Sequence, residues 1–214
     1  MTYFERMKSL NGRKSSLFHP TFQENAGKIV LQGEIFFTLT DSQTGKILDK
    51  RNKKNLIVLD ASILVARLLA NNTEPPHGLF VLAVGTGDSG WDPMNPPAPT
   101  NTQRALYAEI TRKTFETVQF VDPLGVPVAY STKTVDYTTT FTESEAVGPL
   151  VEMGIIGGNI STNMNVKNPY SPPNGPYDPT VDLTSYETLF NYNTFAVVNK
   201  PPTATFTVTW RITA

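Results

Sequence analysis

The sequence predicts a mainly β protein, an antiparallel β-sandwich of about seven or eight strands with one packed α-helix. Three observations carry this. In the closing segment Ala204, Phe206, Val208, Trp210 and Ile212 alternate with Thr203, Thr205, Thr207, Thr209 and Arg211, the period of a strand with one buried face. Ile35, Phe37 and Leu39, and later Val135, Tyr137, Thr139 and Phe141, alternate with more polar neighbours in the same way. The charged fraction is 17%, below the usual ~25%, and Thr, Asn, Pro and Gly fill the difference. Those residues favour strands and turns over helices.

Taken in order, residues 1–26 are polar and unpatterned. They are predicted to form an N-terminal arm, extended or ordered against a neighbour, with a frayed terminus as the alternative. Residues 27–214 are predicted to form a single domain. Its first strand begins at Gly33 and turns at Asp41-Ser42-Gln43-Thr44-Gly45, and Lys46–Asn55 returns as the second strand of a hairpin. The basic run Lys50-Arg51-Asn52-Lys53-Lys54 is read as a solvated edge that blocks aggregation; contact with phosphate or an acidic partner is the alternative. Asp60 is placed to cap a helix, Ile63, Leu64, Arg67 and Leu68 follow at helical spacing, and Asn71-Asn72 ends it.

Leu79–Val84 is a continuous apolar run that suits a buried strand. Gly85–Thr100 is a loop rich in proline and glycine. Ala105–Val118 mixes helical and strand residues and is expected to give a short turn, then one long strand to about Phe120. Asp122–Pro127 breaks the chain, Val135–Phe141 and Leu150–Ile156 are strands, and about 157–189 is a long insertion loop, of a length that usually serves function or binding. Strand character resumes at Thr194–Val198 and closes with the alternating segment.

Two enzyme motifs can be read after Val84, and neither holds. Gly85, Gly87 and Gly90 match G-x-G-x-x-G, but Trp91-Asp92-Pro93-Met94-Asn95-Pro96-Pro97 follows where a phosphate-binding helix must start. Gly87-Asp88-Ser89-Gly90 matches a serine-protease nucleophile site. That chemistry needs a positioned histidine, and His19 and His77 lie in an arm and a turn. Two distant histidines and no cysteine make a poor zinc set, and Asp88 and Asp92 lack the spacing of a calcium loop. Glu143 and Glu145 read as solvated loop carboxylates. No cofactor, no metal and no enzymatic activity are expected.

The net charge is -1, so there is no basic field for nucleic acid. The N-terminal residues are too charged for a signal peptide, and no apolar stretch reaches membrane-spanning length. The aromatic residues Trp91, Tyr170, Tyr177, Tyr186 and Tyr192 are read as loop-borne. Without an interleaved basic stripe they suit protein interfaces or glycan stacking better than nucleic acid. The interface candidates are Trp91, Pro93, Pro96, Pro97, Tyr170, Tyr177, Tyr186, Phe4, Phe18 and Phe22.

Four ordered segments carry a family resemblance. Lys54-Asn55-Leu56-Ile57-Val58 runs into the helix. Leu82-Ala83-Val84-Gly85-Thr86-Gly87 leads through the proline-rich loop to Thr102–Arg112. Tyr137–Glu145 leads into Val151-Glu152-Met153-Gly154-Ile155-Ile156, and Thr205–Ile212 closes the chain. Together they resemble the attachment domains of tailed-bacteriophage fibre and collar proteins and related small virion proteins, over most of Asn52–Ala214. The resemblance implies a non-enzymatic virion protein of the tail or baseplate, assembled in the host bacterial cytoplasm, which oligomerises and docks other tail proteins. The chain stops at the domain's last strand, with no shaft, repeats or receptor-binding tip. That points to an adaptor or a baseplate subunit, with a neck, collar or head-surface protein as the alternative. A carbohydrate-binding module for host glycans is the alternative from another class.

Overall fold

The computed structural model describes residues 30–70, 78–158 and 187–214. β1 (Gln32–Asp41) and β9 (Ala204–Thr213) pair antiparallel in the middle of one half of the sheet. Each offers one apolar face, and register places those faces together: Ile35 opposite Trp210, Phe37 opposite Val208, Leu39 opposite Phe206. All six side chains are buried. The other face of β9 is threonine with one arginine, Arg211, and β1 adds Glu34, Phe36, Thr38 and Thr40 beside it. β6 (Thr134–Phe141) pairs with β9 on its other side, and Thr134–Thr213, Thr138–Thr209 and Thr140–Thr207 join hydroxyl to hydroxyl at 3.0, 2.9 and 3.1 Å. Asp136 accepts from Nε and Nη2 of Arg211 in the same rows, at 2.7 and 2.8 Å.

The remaining strands are β2 (Ile47–Ile57), β3 (Leu79–Gly85), β4 (Glu109–Thr114), β5 (Thr117–Phe120), β7 (Gly148–Gly158) and β8 (Glu187–Lys200), with one helix, α1 (Asp60–Ala70). All nine strands join one curled sheet in the order β4-β3-β7-β8-β2-β1-β9-β6-β5, and every pairing is antiparallel. The link between the two halves is narrow. β2 pairs with β8 only at Leu56–Tyr192 and Ile57–Asn191. The main core collects side chains from both halves: Phe37 of β1 lies 5.3 Å, ring to ring, from Phe195 of β8. Ala61 and Leu64 of α1 join that core.

β3 shows why Leu79–Val84 is apolar without a break. Leu82 and Val84 point into the main core, while Val81 and Ala83 point into a second apolar cluster with Leu106, Ile156, Leu189 and Tyr192. A strand covered on both faces needs no polar positions.

The expected architecture is mainly β with one helix, and the structure is that, with nine strands rather than seven or eight. The extra strand comes from the segment read as one long strand to Phe120. It breaks at Phe115–Glu116, and its two parts lie at opposite ends of the strand order. Thr139 Oγ1 donates to the Thr114 carbonyl, Lys113 Nζ donates to the Thr140 carbonyl, and Glu116 N donates to the Thr138 carbonyl. β4 therefore ends against β6, and the chain crosses there from one half to the other. Local propensity shows two strand-like stretches but not the crossing between them.

Strand structure also takes in both ends of the expected insertion loop, since β7 runs through Gly158 and β8 begins at Glu187. Tyr192, read as loop-borne, is fully buried in β8. Residues 159–186 and 1–29, and with them most of the insertion and the arm, lie outside the described residues, as do His19 and His77.

Candidate docking surface around the proline-rich loop

The loop between β3 and β4 starts where Gly85 and Gly87 bring backbone close to its neighbours. A Cβ on Gly85 would stand 2.5 Å from the Ala108 carbonyl oxygen and from Glu152 Oε1. Gly87 has φ +70°, and a Cβ there would stand 2.5 Å from the Trp91 ring and 2.6 Å from Val151. The glycines serve close packing and a left-handed turn. No helix follows them: Gly85 is followed by turns and irregular chain as far as β4, as the prolines require.

Glu152 of β7 holds both ends of this loop. Its side chain is fully buried. Oε1 accepts from Gly87 N at 3.1 Å and from Ala108 N at 2.8 Å, and Oε2 accepts from Tyr107 N at 3.0 Å and Tyr192 Oη at 2.7 Å. The four donors fill the carboxylate's acceptor positions. Burial, and then the charge of Glu152, push the Tyr192 hydroxyl far above the ordinary tyrosine range, so it stays a donor.

Between these anchors the loop is built from short turns. Asp88 Oδ1 accepts from Gly90 N and Asp92 Oδ1 from Met94 N, the Asx geometry that favours aspartate in turns. Trp91 is half-buried and meets Tyr107 at 4.7 Å between ring centroids. The loop is then bonded to β8: Val197 N donates to the Pro93 carbonyl and Thr194 Oγ1 to the Pro97 carbonyl, both at 2.7 Å. Pro93 and Pro97 remain exposed and Pro96 half-exposed, with the Met94 side chain 66% exposed beside them. At the far end Arg104 reaches Asp60 at the start of α1, and Leu59 N donates to the Asn101 carbonyl.

The basic run sits across β8 from this loop. Arg51 pairs with Asp49, stacks 5.6 Å from the Phe37 ring centroid and donates to the Ala196 carbonyl. Lys53 Nζ donates to the Thr194 carbonyl, and Asn193 Nδ2 to the Lys54 carbonyl. The sequence predicts a solvated edge here. Lys50, Asn52, Lys53 and Lys54 are exposed and fit that reading, whereas Arg51 is half-buried; Arg51 and Lys53 also reach β8 and bridge the seam left where β2 and β8 stop pairing. Burial, and then Arg51, lower the Lys53 ammonium below the ordinary lysine range.

Of the ten interface candidates, the structure places Trp91, Pro93, Pro96 and Pro97 on one loop. Tyr170, Tyr177, Tyr186, Phe4, Phe18 and Phe22 lie outside the described residues. Glu143 is exposed as expected, but Glu145 accepts from Lys113 Nζ and Thr142 N and stitches β4 to the β6–β7 turn. Among the described residues no group of three or more His, Cys, Asp and Glu is arranged to hold a metal. Sequence reading missed Glu152. The available signal was an acidic residue at the centre of the apolar run Leu150–Ile156.

Residues 57–147, from the end of β2 through the proline-rich loop to the β6–β7 turn, match the model of a family described as a baseplate wedge 3 tail fiber network component. Over this stretch the chain is similar to phage tail-fibre and baseplate proteins. The matched stretch contains α1, β3, the proline-rich loop and its crossover to β6. β1 and β7–β9, which supply Glu152 and most of the main core, fall outside it. A search of curated proteins returned no match.

Proposed function

We propose that this protein is a structural subunit of a phage baseplate, an adaptor in the tail-fibre network that joins neighbouring tail proteins without catalysis. The observation that carries this is the family match across the proline-rich loop. The architecture of the loop supports it. A buried carboxylate latches both its ends, two carbonyls tie its middle to β8, and prolines stiffen what remains exposed. A surface ordered before contact loses little entropy on docking. Trp91, Met94, Pro93, Pro96 and Pro97 present that surface. On this reading the arm at 1–26 and the insertion at about 157–189, with Phe4, Phe18, Phe22, Tyr170, Tyr177 and Tyr186, supply further contacts from the same domain, and the subunit is a homo-oligomer in the particle.

Cross-linking mass spectrometry on intact particles tests this. Links from the 85–100 loop and the arm to other tail proteins are the expected result. A free monomer without links to any tail protein would overturn it.

A further inference from the structure

We propose that the groove between the Lys53–Lys54 edge of β2 and the proline-rich loop receives an acidic, extended segment of another virion protein. This deepens the baseplate reading and rests on it. The groove has a volume of about 570 Å³, with Lys53 and Lys54 on one wall, Met94, Pro96 and Pro99 on the other, and Phe195 at β8.

Three observations select the occupant. The first is backbone. β2 pairs with β8 only at Leu56 and Ile57, so from Ile47 to Asn55 its β8-facing backbone makes no ladder pairing with another described strand, and β8 is reached there through the side chains of Arg51, Lys53 and Asn193. An extended chain finds main-chain partners along such an edge. The second is charge. Asp49 is engaged by Arg51, and among the described residues no carboxylate forms an ion pair with Lys53 or Lys54. Burial and Arg51 together disfavour the Lys53 ammonium, and an incoming carboxylate relieves that strain. The third is the opposite wall, where prolines and an exposed methionine offer a stiff apolar surface for the segment's uncharged side chains.

The chain's own arm is the wrong occupant on charge. Arg6, Lys8, Arg13 and Lys14 outnumber Glu5 and Glu24 there, so a lysine-lined groove repels it.

Amine acetylation of intact particles and of the purified chain, read by mass spectrometry, tests the proposal together with carbodiimide coupling of the particles. Lys53 and Lys54 are expected to be modified at least tenfold less in particles than in the free chain. Carbodiimide is expected to couple Lys53 or Lys54 to an aspartate or glutamate of a different virion protein. Lys54→Glu, at a side chain exposed in the free chain, is expected to lower incorporation into particles about tenfold while Lys54→Arg does not. Equal acetylation in both samples would overturn the proposal, as would coupling to a second copy of this chain or protection that nuclease removes. Absence of the chain from the particles defeats the baseplate reading itself; presence with both lysines open defeats only the groove.

Discussion

Glu152 shows how one residue gives the proline-rich loop its shape. Four donors converge on it from β3's exit, from the approach to β4 and from β8. Removing the carboxylate leaves three backbone N–H groups and a hydroxyl to find other partners. Glu152→Ala is therefore expected to cost on the order of 3 kcal/mol in urea unfolding, with loss of tryptophan fluorescence anisotropy as Trp91 loosens; an unchanged midpoint would contradict the latch. Gly87→Ala is expected to cost at least about 1–2 kcal/mol through its left-handed φ alone, and its Cβ would also meet the Trp91 ring. Asn191 is the opposite case. Its amide is fully buried between Ile155 and Ile57, and neither its nitrogen nor its oxygen has a hydrogen-bond partner among the described residues. Asn191→Leu is expected to stabilise the fold by about 1 kcal/mol, since it removes an unsatisfied polar group without changing the shape much, measured by the same unfolding midpoint. At this scale the sequence shows which residues are unusual but not what they do. An acid inside an apolar run is visible in it, while the four donors that make it tolerable come from positions up to 65 residues away.

Strands with one apolar face could be read directly. β1 and β9 follow their alternation residue by residue, because one-sided burial leaves a period-two record. The strands covered on both faces were harder. β8 runs for 14 residues, yet only Thr194–Val198 reads as strand, because its buried Asn191, Asn193 and Lys200 interrupt any apolar pattern. Lys200 is polar because it donates to the Thr142 and Glu143 carbonyls and pins the β6–β7 turn. That turn and the β1–β2 turn share a device with a pH signature. Glu145 accepts from Thr142 N and Lys113, and Asp41 accepts from Thr44 N and Oγ1. Burial works against the Glu145 carboxylate, but these hydrogen bonds outweigh it and hold it below the ordinary glutamate value of 4.5. Hydrogen bonds from Thr44 hold Asp41 below 3.8. Groups lowered in the folded state contribute stability that is complete above their unfolded values and lost as pH falls through the folded ones. The unfolding midpoint is expected to stay level from pH 7 to about 5 and to decline below about 4.5. Glu145→Gln is expected to make that decline shallower, and an unaltered acid slope in the variant would contradict the assignment.

For the whole molecule, the curled sheet explains why a loop between two core strands becomes a surface. The two halves meet in full pairing only at the end of β2. Along the rest of the seam β8 is partnered by side chains from the basic run and by carbonyls of the proline-rich loop. The stretch that looks in sequence like a phosphate-binding or protease motif is thus fastened to the sheet and presents prolines and methionine outward. On the proposed function its chemistry is that of a contact. The seam itself was not legible, because the lysines and the prolines that flank it lie about forty residues apart in the chain and only the closure of the sheet brings them together. On the proposed function this contact belongs to the phage tail. Purified particles separated into head and tail fractions, with the chain quantified in each by mass spectrometry, test it most directly. The account predicts the chain in the tail fraction at a fixed ratio to other baseplate proteins; its recovery with heads, or only outside washed particles, would contradict it.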